Sequence, residues 1–262
     1  MQQQSNASPQ VAVVTGAGRG LGREMALQLA ACGLHVAALG RNKKDLDELA
    51  AEAVSGKILA LQVDVADTNA LHATFNRIDT ELGSPDILVN NAAVYPHRDF
   101  LEETPESFRQ VLEINLGGMV TCAILALERM VEHGQGRIIN VATFAGSRPA
   151  PLASAYSVSK GACRILTQAI VEDLKDRFPD IVITDWVPGA LNTQMGIPDG
   201  IAPETAAQWG VALALWRDPD LNGATFVQDQ EHLSTLSLKR RLLNKLTGRA
   251  KAPRRILPTS RT

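Results

Sequence analysis

The stretch SAYSVSKG at residues 154–161 places Tyr156 four residues before Lys160. On a helix, residues four apart lie on the same face. A tyrosine phenol has a pKa of about 10 and exchanges protons poorly at neutral pH, but a neighbouring ammonium favours its phenolate form. The pair could therefore exchange a proton with a reacting group, or it could be an ordinary solvated helix face. The rest of the sequence has to distinguish between these two interpretations.

Short β-branched runs alternate with longer segments of helical periodicity along most of the chain. The runs are continuously apolar, which is typical of parallel strands covered by helices on both faces. The predicted strands are 10–16, 35–40, 58–65, 86–93, 137–143, 181–188 and 224–228, and the predicted helices are 20–32, 43–54, 68–82, 105–132, 154–177 and 203–216. The pattern predicts one α/β domain over 10–230, a doubly wound, seven-stranded parallel sheet flanked by helices.

The composition is that of an ordinary globular chain. Its 262 residues are 45% hydrophobic with a formal net charge of −2, enough for one large α/β domain. No uninterrupted apolar run reaches the roughly 18 residues that a membrane span needs. The cysteines, Cys32, Cys122 and Cys163, are widely spaced, which is typical of reduced thiols. We therefore expect a cytoplasmic protein with no membrane segment and no metal site.

The two ends of the chain differ from its body. Residues 1–9 are polar, lack the pattern of a signal peptide and are predicted to form a flexible tail. Residues 231–262 form a predicted basic extension with an amphipathic helix at 232–246, because positions 239–262 hold nine basic and no acidic residues. Its cationic face could dock on an acidic surface of its own or a neighbouring subunit, or attract an anionic substrate or carrier. Nucleic acid is not expected, because aromatic residues are sparse there.

A glycine-rich turn, TGAGRGLG at 15–22, follows the first predicted strand. Glycines permit positive φ and close backbone approach, and the next helix would direct its free N–H groups toward a phosphate. The spacing departs from G-x-G-x-x-G, and many strand-to-helix turns carry glycine for steric reasons alone. Its position after the first strand nevertheless favours a nucleotide. The residues that would line the phosphates are Gly16, Gly18, Arg19, Gly20, Leu21 and Gly22.

The end of the second strand bears on which nucleotide this is. A carboxylate there usually accepts the ribose 2′-OH of NAD, but this chain has Gly40, Arg41 and Asn42 instead. Arg41 can fork onto a 2′-phosphate, and Arg19 could add a second cation. Both arginines could also be merely solvated. Together with the missing acid, they predict NADP(H) as the cofactor.

Several further motifs occur in the same order along the chain. They are DV at 64–65, NNAA at 90–93, Asn115, Thr143 in NVAT, the Tyr156–Lys160 pair and PGALNT at 188–193. With the glycine turn, they make residues 9–230 resemble the short-chain dehydrogenase/reductase family, of the NADP-preferring type. The resemblance implies a Rossmann-type fold and an oxidoreductase that transfers a hydride between a nicotinamide cofactor and a C=O group.

The resemblance also implies roles for single residues. Tyr156 would donate or accept the proton, and Lys160 would activate it and hold the ribose. Thr143 would steady the substrate carbonyl, and Asn115 would belong to a water-linked proton relay. The intervening Ser157 and Ser159 are assigned packing or surface roles. The remaining cofactor-binding residues would be Asn42, Asp64, Val65, Asn91, Ala92, Ala93, Pro188, Gly189, Leu191 and Thr193.

Two positions depart from the family pattern. Thr143 stands where the family usually has serine, which keeps the hydroxyl but adds a methyl group and a stiffer χ1. Ala93 stands in a glycine place and adds a methyl group close to the cofactor and substrate. Neither departure removes a functional group, but both would reshape the pocket.

The predicted specificity loops are 94–100, 144–153 and 191–202. Their apolar side chains indicate an apolar substrate pocket. His97 and Arg148 could contact substrate or simply be solvated loop residues. The candidate pocket residues are Tyr95, His97, Phe144, Arg148 and Met195.

The sequence therefore predicts an NADPH-dependent carbonyl reductase acting on a small, mostly apolar carbonyl or alcohol, assembled as a homotetramer or homodimer. One alternative is an NADP-dependent alcohol dehydrogenase, which uses the same hydride transfer. Another is an acyl-thioester ketoreductase. Dehydration or epimerisation on the same fold also stays open. A non-catalytic NADP-binding sensor is the alternative from another class, although a mere binder has no need of the phenol.

Overall fold

A computed structural model of the protein describes residues 9–233 and 252–256. In these residues strands and helices alternate as the sequence predicts. The strands are β1 (Val11–Thr15), β2 (His35–Gly40), β3 (Lys57–Gln62), β4 (Ile87–Asn90), β5 (Gly136–Val141), β6 (Ile181–Val187), β7 (Thr225–Val227) and β8 (Gln230–Glu231). The α-helices are α1 (Gly20–Ala31), α2 (Lys43–Glu52), α3 (Thr68–Glu81), α4 (Pro105–Leu112), α5 (Gly118–His133), α6 (Ser154–Leu174) and α7 (Pro203–Leu215).

The strands form one sheet in the order β3-β2-β1-β4-β5-β6-β7-β8. The first seven are parallel, which confirms the doubly wound α/β fold. The predicted count of seven is one short, because β8 turns back antiparallel to β7 after Gln228, whose φ is +53°. The strand order reverses between β1 and β4, and a ligand crevice is expected at the carboxyl ends of strands at such a point.

Each face of the sheet carries its own apolar core. On one face α1 and α7 bury residues such as Met25, Leu29 and Val211. On the other face α3, α5 and α6 contribute Phe75, Met130 and Val171. The strands are apolar on both sides because both sides are covered, as the continuous apolar runs predict.

Three strands end earlier than their apolar pattern suggests. The predicted ends at 65, 93 and 143 become Gln62, Asn90 and Val141. The first residue after β3 and the first after β5 each make one more backbone hydrogen bond to the neighbouring strand, and the chain then leaves the sheet. Val63 donates to the Gly40 carbonyl at 2.8 Å, and Ala142 donates to the Trp186 carbonyl at 2.7 Å. This departure carries Asp64, Asn91 and Thr143 to the edge where a ligand would sit.

The predicted helix at 105–132 is divided. A π-helical turn at Glu113–Gly117 separates α4 from α5 and contains Asn115. The whole stretch Pro105–His133, at 29 residues, is long and apolar enough to cross a bilayer by length and composition, although half of its most apolar window is buried. Core helices meet the same criterion, and α5 buries Cys122, Leu125 and Met130.

The described end of the chain returns to the sheet. Arg254 forms an ion pair with Glu231 of β8 at 2.7 Å, and Ile256 is buried in the core under α1 and α7. The predicted helix at 232–246 lies outside the described residues, apart from positions 232 and 233. The predicted tail at 1–9 also lies outside them, apart from Pro9. The division into 10–230 and 231–262 stays a prediction.

Candidate active site

The ends of β1 and β4 are tied together at the point where the strand order reverses. The Thr15 hydroxyl accepts hydrogen bonds from the backbone N–H groups of Asn91 and Ala92, each at 3.0 Å. The Asn91 side chain donates to the Thr15 carbonyl at 2.9 Å and to the Gly16 carbonyl at 3.3 Å. Asn91 therefore shapes the glycine turn directly, a contact that the family resemblance did not assign to it.

The glycine turn packs too tightly for side chains at two points. Gly16 has φ +66°, and a Cβ there would lie 3.0 Å from the Ala92 Cα. A Cβ at Gly22 would lie 2.4 Å from the Gly16 carbonyl oxygen. These contacts bring α1 close under the turn, so that its N-terminus faces the crevice.

The N-terminus of α1 has no side-chain cap and no acidic residue in its first turn. By contrast, α2 is capped by Asn42, whose side chain accepts from the Lys44 N–H at 3.0 Å. An uncapped N-terminus after a glycine turn offers backbone N–H donors and a positive dipole end to an anion. Arg19 precedes Gly20 and donates to the Gln194 side chain in the loop after β6.

Arg41 follows β2 as predicted and is exposed, with a side-chain exposure of 60%. Its guanidinium lies 3.9 Å from the Asp64 carboxylate. Asp64 also accepts the Ala66 N–H at 3.0 Å, so its position is fixed by its own turn. Asp45, in the first turn of α2, comes close to Gly18, since a Cβ at Gly18 would lie 3.2 Å from the Asp45 Cβ. The sequence pattern did not single out Asp45, because this approach depends on how α2 packs.

The loop after β6 comes down onto the glycine turn. Gly189, with φ +98°, turns the chain after Pro188, and Leu191 pairs with Ile201 across the loop. The Thr193 methyl group would lie 3.2 Å from a Cβ at Gly20. The structure therefore brings PGALNT to the same crevice as TGAGRGLG.

Tyr156 and Thr143 are brought together at the other side of the crevice. Tyr156 lies in the first turn of α6, and its phenol is close enough to the Thr143 hydroxyl for that group to lower its pKa. Burial raises the pKa of Tyr156 to about 12, and the Thr143 hydroxyl offsets this only in part. The sequence-based expectation of a lowered pKa is therefore not met by the protein groups, because desolvation outweighs them.

Lys160 lies one turn further along α6 and is buried, with an exposure of 5%. Its Nζ donates to the Val141 carbonyl at 2.9 Å, at the end of β5. Burial lowers the pKa of Lys160, whereas the nearby Cys163 and Asp185 raise it. The lysine is thus fixed to the sheet edge, and its helix neighbour Tyr156 points to the same crevice.

Asn115 is buried in the π-helical turn and is held by three hydrogen bonds. Its side chain accepts the Val94 N–H at 2.8 Å and donates to the Val94 carbonyl at 3.0 Å. It also donates to the Ser159 hydroxyl at 3.0 Å, and that hydroxyl donates to the Tyr156 carbonyl at 2.7 Å. π-Helical turns occur often at functional sites.

Ser159 is fully buried and connects Asn115 to α6, so it has a packing role and not a surface one. The only signal for it in the sequence is its position, three residues after Tyr156 on the same helix.

A cavity of about 10 Å³ lies between Lys160 and Asn115. This is on the order of one water molecule in size. Its other polar lining comes from Thr15 and Asn90. The predicted relay residues Asn115 and Lys160 therefore line one small cavity.

The substrate side contains an aromatic group. The Tyr95 ring lies 4.3 Å from the Tyr156 ring between centroids, and the His97 ring meets Tyr95 edge-on at 4.5 Å. Phe144 is half-exposed and contacts His232 edge-on at 6.2 Å. His232 had no signal in the sequence, because the β7–β8 hairpin brings it there.

Two predicted pocket residues are not brought to the phenol by any described contact. Arg148 and Met195 are exposed on their loops. Among the described residues, no group of three or more His, Cys, Asp or Glu side chains could hold a metal ion.

The residues around the crevice fit a dinucleotide. The uncapped N-terminus of α1 offers N–H donors for a pyrophosphate, and the exposed Arg41 side chain could bind a further phosphate. Asn91 follows β4 at the same edge of the sheet, and Lys160 is held there by the Val141 carbonyl at the end of β5. The donor set matches a ligand with phosphates at one end and a reacting group at the other.

Residues 10–200 match the family described as short chain dehydrogenase. L-xylulose reductase from Mesocricetus auratus is 37% identical over 196 residues, which cover 74% of this chain and 77% of that protein. A probable oxidoreductase EphD from Mycobacterium tuberculosis is 35% identical over 196 residues, and the aligned part spans only 33% of its length. The crystal structure of a 3-ketoacyl-ACP reductase from Sinorhizobium meliloti 1021 superposes with a TM-score of 0.75 at 28% identity, covering 83% of this chain and 96% of that one.

Proposed function

The chain belongs to the short-chain dehydrogenase/reductase family of NAD(P)-dependent oxidoreductases, and we propose that it is an NADPH-dependent carbonyl reductase. The observation that carries the proposal is the position of the Thr143 hydroxyl beside the Tyr156 phenol, close enough to lower the pKa of that phenol. Reduction of a C=O group generates an alkoxide oxygen that must receive a proton. A buried phenol with a pKa of about 12 is protonated at neutral pH and can donate that proton.

Each of the four predicted catalytic residues has a task in this reaction. Thr143 would hold the carbonyl oxygen beside the phenol, and Tyr156 would protonate it. Lys160, whose Nζ is fixed to the Val141 carbonyl, would favour the phenolate that remains. Asn115 would belong to the water-linked relay that returns a proton through the cavity it shares with Lys160.

NADP(H) is proposed to lie along the crevice and supplies the hydride when bound. The N-terminus of α1 and its glycine turn would hold the pyrophosphate, and Arg41 the 2′-phosphate. Lys160 would also hold ribose hydroxyls. The remaining contacts proposed for the cofactor are Asn42, Asp64 and Val65 at the adenosine end, Asn91, Ala92 and Ala93 beside the ribose, and Pro188, Gly189, Leu191 and Thr193 at the nicotinamide end.

The substrate is proposed to be a small, mostly apolar carbonyl compound. The Tyr95 ring lies tilted beside the Tyr156 ring, and Phe144, Leu152 and Ile197 are each about half-exposed in the specificity loops. Exposed apolar side chains around a site favour an apolar ligand.

We also propose a homo-oligomer. The outer faces of α5 and α6 leave Ile124, Val158 and Ile165 more than half exposed, which is the kind of surface that a second copy would cover. A cytoplasmic location is proposed as well, since Cys122 and Cys163 are buried as free thiols.

The experiment is steady-state oxidation of NADPH, followed by absorbance, against a panel of apolar ketones. Tyr156→Phe should keep cofactor affinity and lose about 10² to 10⁴ in kcat, the usual range for general acid catalysis. Ser157→Ala is the matched control, because it removes a neighbouring hydroxyl that has no hydrogen-bond partner among the described residues. A Tyr156→Phe enzyme as active as Ser157→Ala would contradict the proposal.

A second candidate is an acyl-thioester ketoreductase. The superposition on a 3-ketoacyl-ACP reductase and the apolar loops favour it. The same panel separates the two functions if it includes an acyl thioester and the free ketone of equal chain length. A kcat/KM that is higher for the thioester than for the free ketone would favour the acyl-thioester ketoreductase.

A further inference from the structure

A buried acid lies close to the catalytic helix and has no part in the proposed reaction. Asp185, in the middle of β6, is 4% exposed, whereas an unpaired buried carboxylate is costly. Its neighbours in the sheet are Asn140 of β5 and Thr225 of β7, which carry no charge. The side chains that could stabilise it therefore come from α6.

A directed hydrogen-bond chain ends on this carboxylate. Asn90 donates to Asn140 at 2.9 Å, and Asn140 donates to the Thr167 hydroxyl at 2.9 Å. Thr167 then donates to Asp185 Oδ1 at 2.7 Å, which is shorter than its 3.2 Å contact to the Cys163 carbonyl. Every donor in the chain points toward the acid, and such chains strengthen the final bond when the acceptor is charged.

The first residue of this hydrogen-bond chain, Asn90, lies beside the proposed active site. Asn90 lines the small cavity together with Asn115 and Lys160. Thr167 extends the stripe of α6 that begins with Tyr156, since the positions 156, 160, 163 and 167 lie on one helix face. The acid is thus connected to the same cavity by an unbroken run of buried polar groups.

Lys160 requires a counter-charge. It is fully buried, and among the described residues its hydrogen-bond acceptor is the neutral Val141 carbonyl. Three titratable groups of α6 face Asp185, namely Lys160, Cys163 and Arg164. Burial raises the pKa of Cys163, so this thiol stays neutral and cannot balance the lysine. Arg164 donates to Ser147 at the helix surface.

We propose that Asp185 is a positioning residue for the reaction, whose carboxylate supplies the buried counter-charge that keeps the Lys160 ammonium charged. This inference rests on the proposed function of Lys160. Burial raises the pKa of Asp185 to about 6, while Thr167, Arg164 and Lys160 lower it. The counter-charge is therefore present at neutral pH and disappears as the pH falls through about 6.

The coupling can be measured without any enzyme assay. Carboxyl-labelled aspartate gives a carbon NMR titration, and the signal missing from Asp185→Asn identifies Asp185. Because coupling is reciprocal, Lys160→Met should raise the titration midpoint by about one pH unit. Thr167→Val should raise it as well, because it removes the hydrogen bond to the carboxylate. Lys175→Met, on an exposed lysine of the same helix region, should leave it unchanged.

The pH profile of the wild-type enzyme tests the consequence for catalysis. We expect the alkaline limb of kcat/KM to move to lower pH in Asp185→Asn, because a neutral amide no longer favours the Lys160 ammonium, with a roughly tenfold lower kcat/KM at pH 8. If Asp185→Asn does not fold, the midpoint shift in Lys160→Met decides. An Asp185 midpoint that is equal in wild type and Lys160→Met overturns the proposal. A wild-type protein that oxidises no NADPH contradicts the proposed function instead, while the titration still decides the coupling.

Discussion

Two cations are buried on opposite faces of the sheet in the part of the chain that the structure describes. Arg137 of β5 faces α7, and Lys160 of α6 packs on the other side. Arg137 donates to four oxygens, which are the Leu213, Ile138 and Val182 carbonyls and the Thr184 hydroxyl, at 2.8 to 3.2 Å. Lys160 donates to one described acceptor, the Val141 carbonyl.

The difference separates a structural charge from a functional one. Arg137 is 0% exposed and its donors are directed to carbonyls of two strands and a helix, so that it joins these elements. Lys160 has three N–H donors, and the cavity at its side leaves space for further partners. A buried charge with donors to spare is expected where a ligand or a proton has to be handled.

The largest effect is expected from Lys160→Met. The variant removes the group that favours the phenolate and should lower kcat by about 10² to 10⁴. Its free energy of unfolding should fall by only about 1 kcal/mol, because Asp185 loses its counter-charge while a desolvated cation with one described hydrogen bond is replaced by an apolar side chain. NADPH oxidation and a urea unfolding curve measure the two quantities on the same sample. A loss of stability as large as the loss for Arg137→Met would remove the distinction between the two cations.

Arg137→Met is expected to act in the opposite sense. Burial, together with the charge of Arg217, lowers the pKa of Arg137 to about 9, so the guanidinium is still charged at neutral pH. Removing it deprives several buried carbonyls of a charged donor, and we expect a loss of about 2–4 kcal/mol in the free energy of unfolding. The folded fraction should keep its kcat.

Urea unfolding of Arg137→Met is compared with that of Arg77→Met, which changes an exposed arginine of α3. An Arg137→Met protein as stable as this control would show that the four hydrogen bonds contribute nothing net.

The same contrast explains what the sequence could predict. Tyr156, Lys160, Asn115 and Thr143 stand at motif positions, and the alternation of strands and helices leads each of them to one edge of the sheet. The strand assignments were sound because continuous apolar runs require cover on both faces. Strand ends were less predictable, because the predicted strands extend to 65 and 143, whereas Val63 and Ala142 make the last backbone hydrogen bonds to the neighbouring strands.

The partners of these residues could not be predicted. The Val141 carbonyl that receives Lys160, the Ser159 hydroxyl that meets Asn115 and the approach of Asp45 to Gly18 depend on packing between distant segments. The raised pKa of Tyr156 has the same origin, since its main cause is burial, and burial is a property of the whole fold. Motif positions predict which residues reach this edge of the sheet, whereas packing sets their partners and their charge states.

The smallest effect is expected at Arg41, a cation of a third kind. It is exposed and only 3.9 Å from Asp64, and exposed ion pairs of this type contribute little to stability. Arg41→Ala should therefore leave the unfolding curve unchanged. It should weaken NADPH about tenfold, as expected for loss of one charge-assisted hydrogen bond at an exposed site, and leave NADH nearly unaffected.

Fluorescence titration of both cofactors against wild type and Arg41→Ala measures this selectivity, with Arg77→Ala as the control for removal of an exposed arginine. Equal weakening of NADPH and NADH would remove the 2′-phosphate assignment and leave the choice between the two cofactors to the carboxylates near the turn, Asp45 and Asp64. A selective loss of NADPH affinity would instead give each of the three cations its own role: Arg137 stabilises the fold, Lys160 assists proton transfer and Arg41 selects the cofactor.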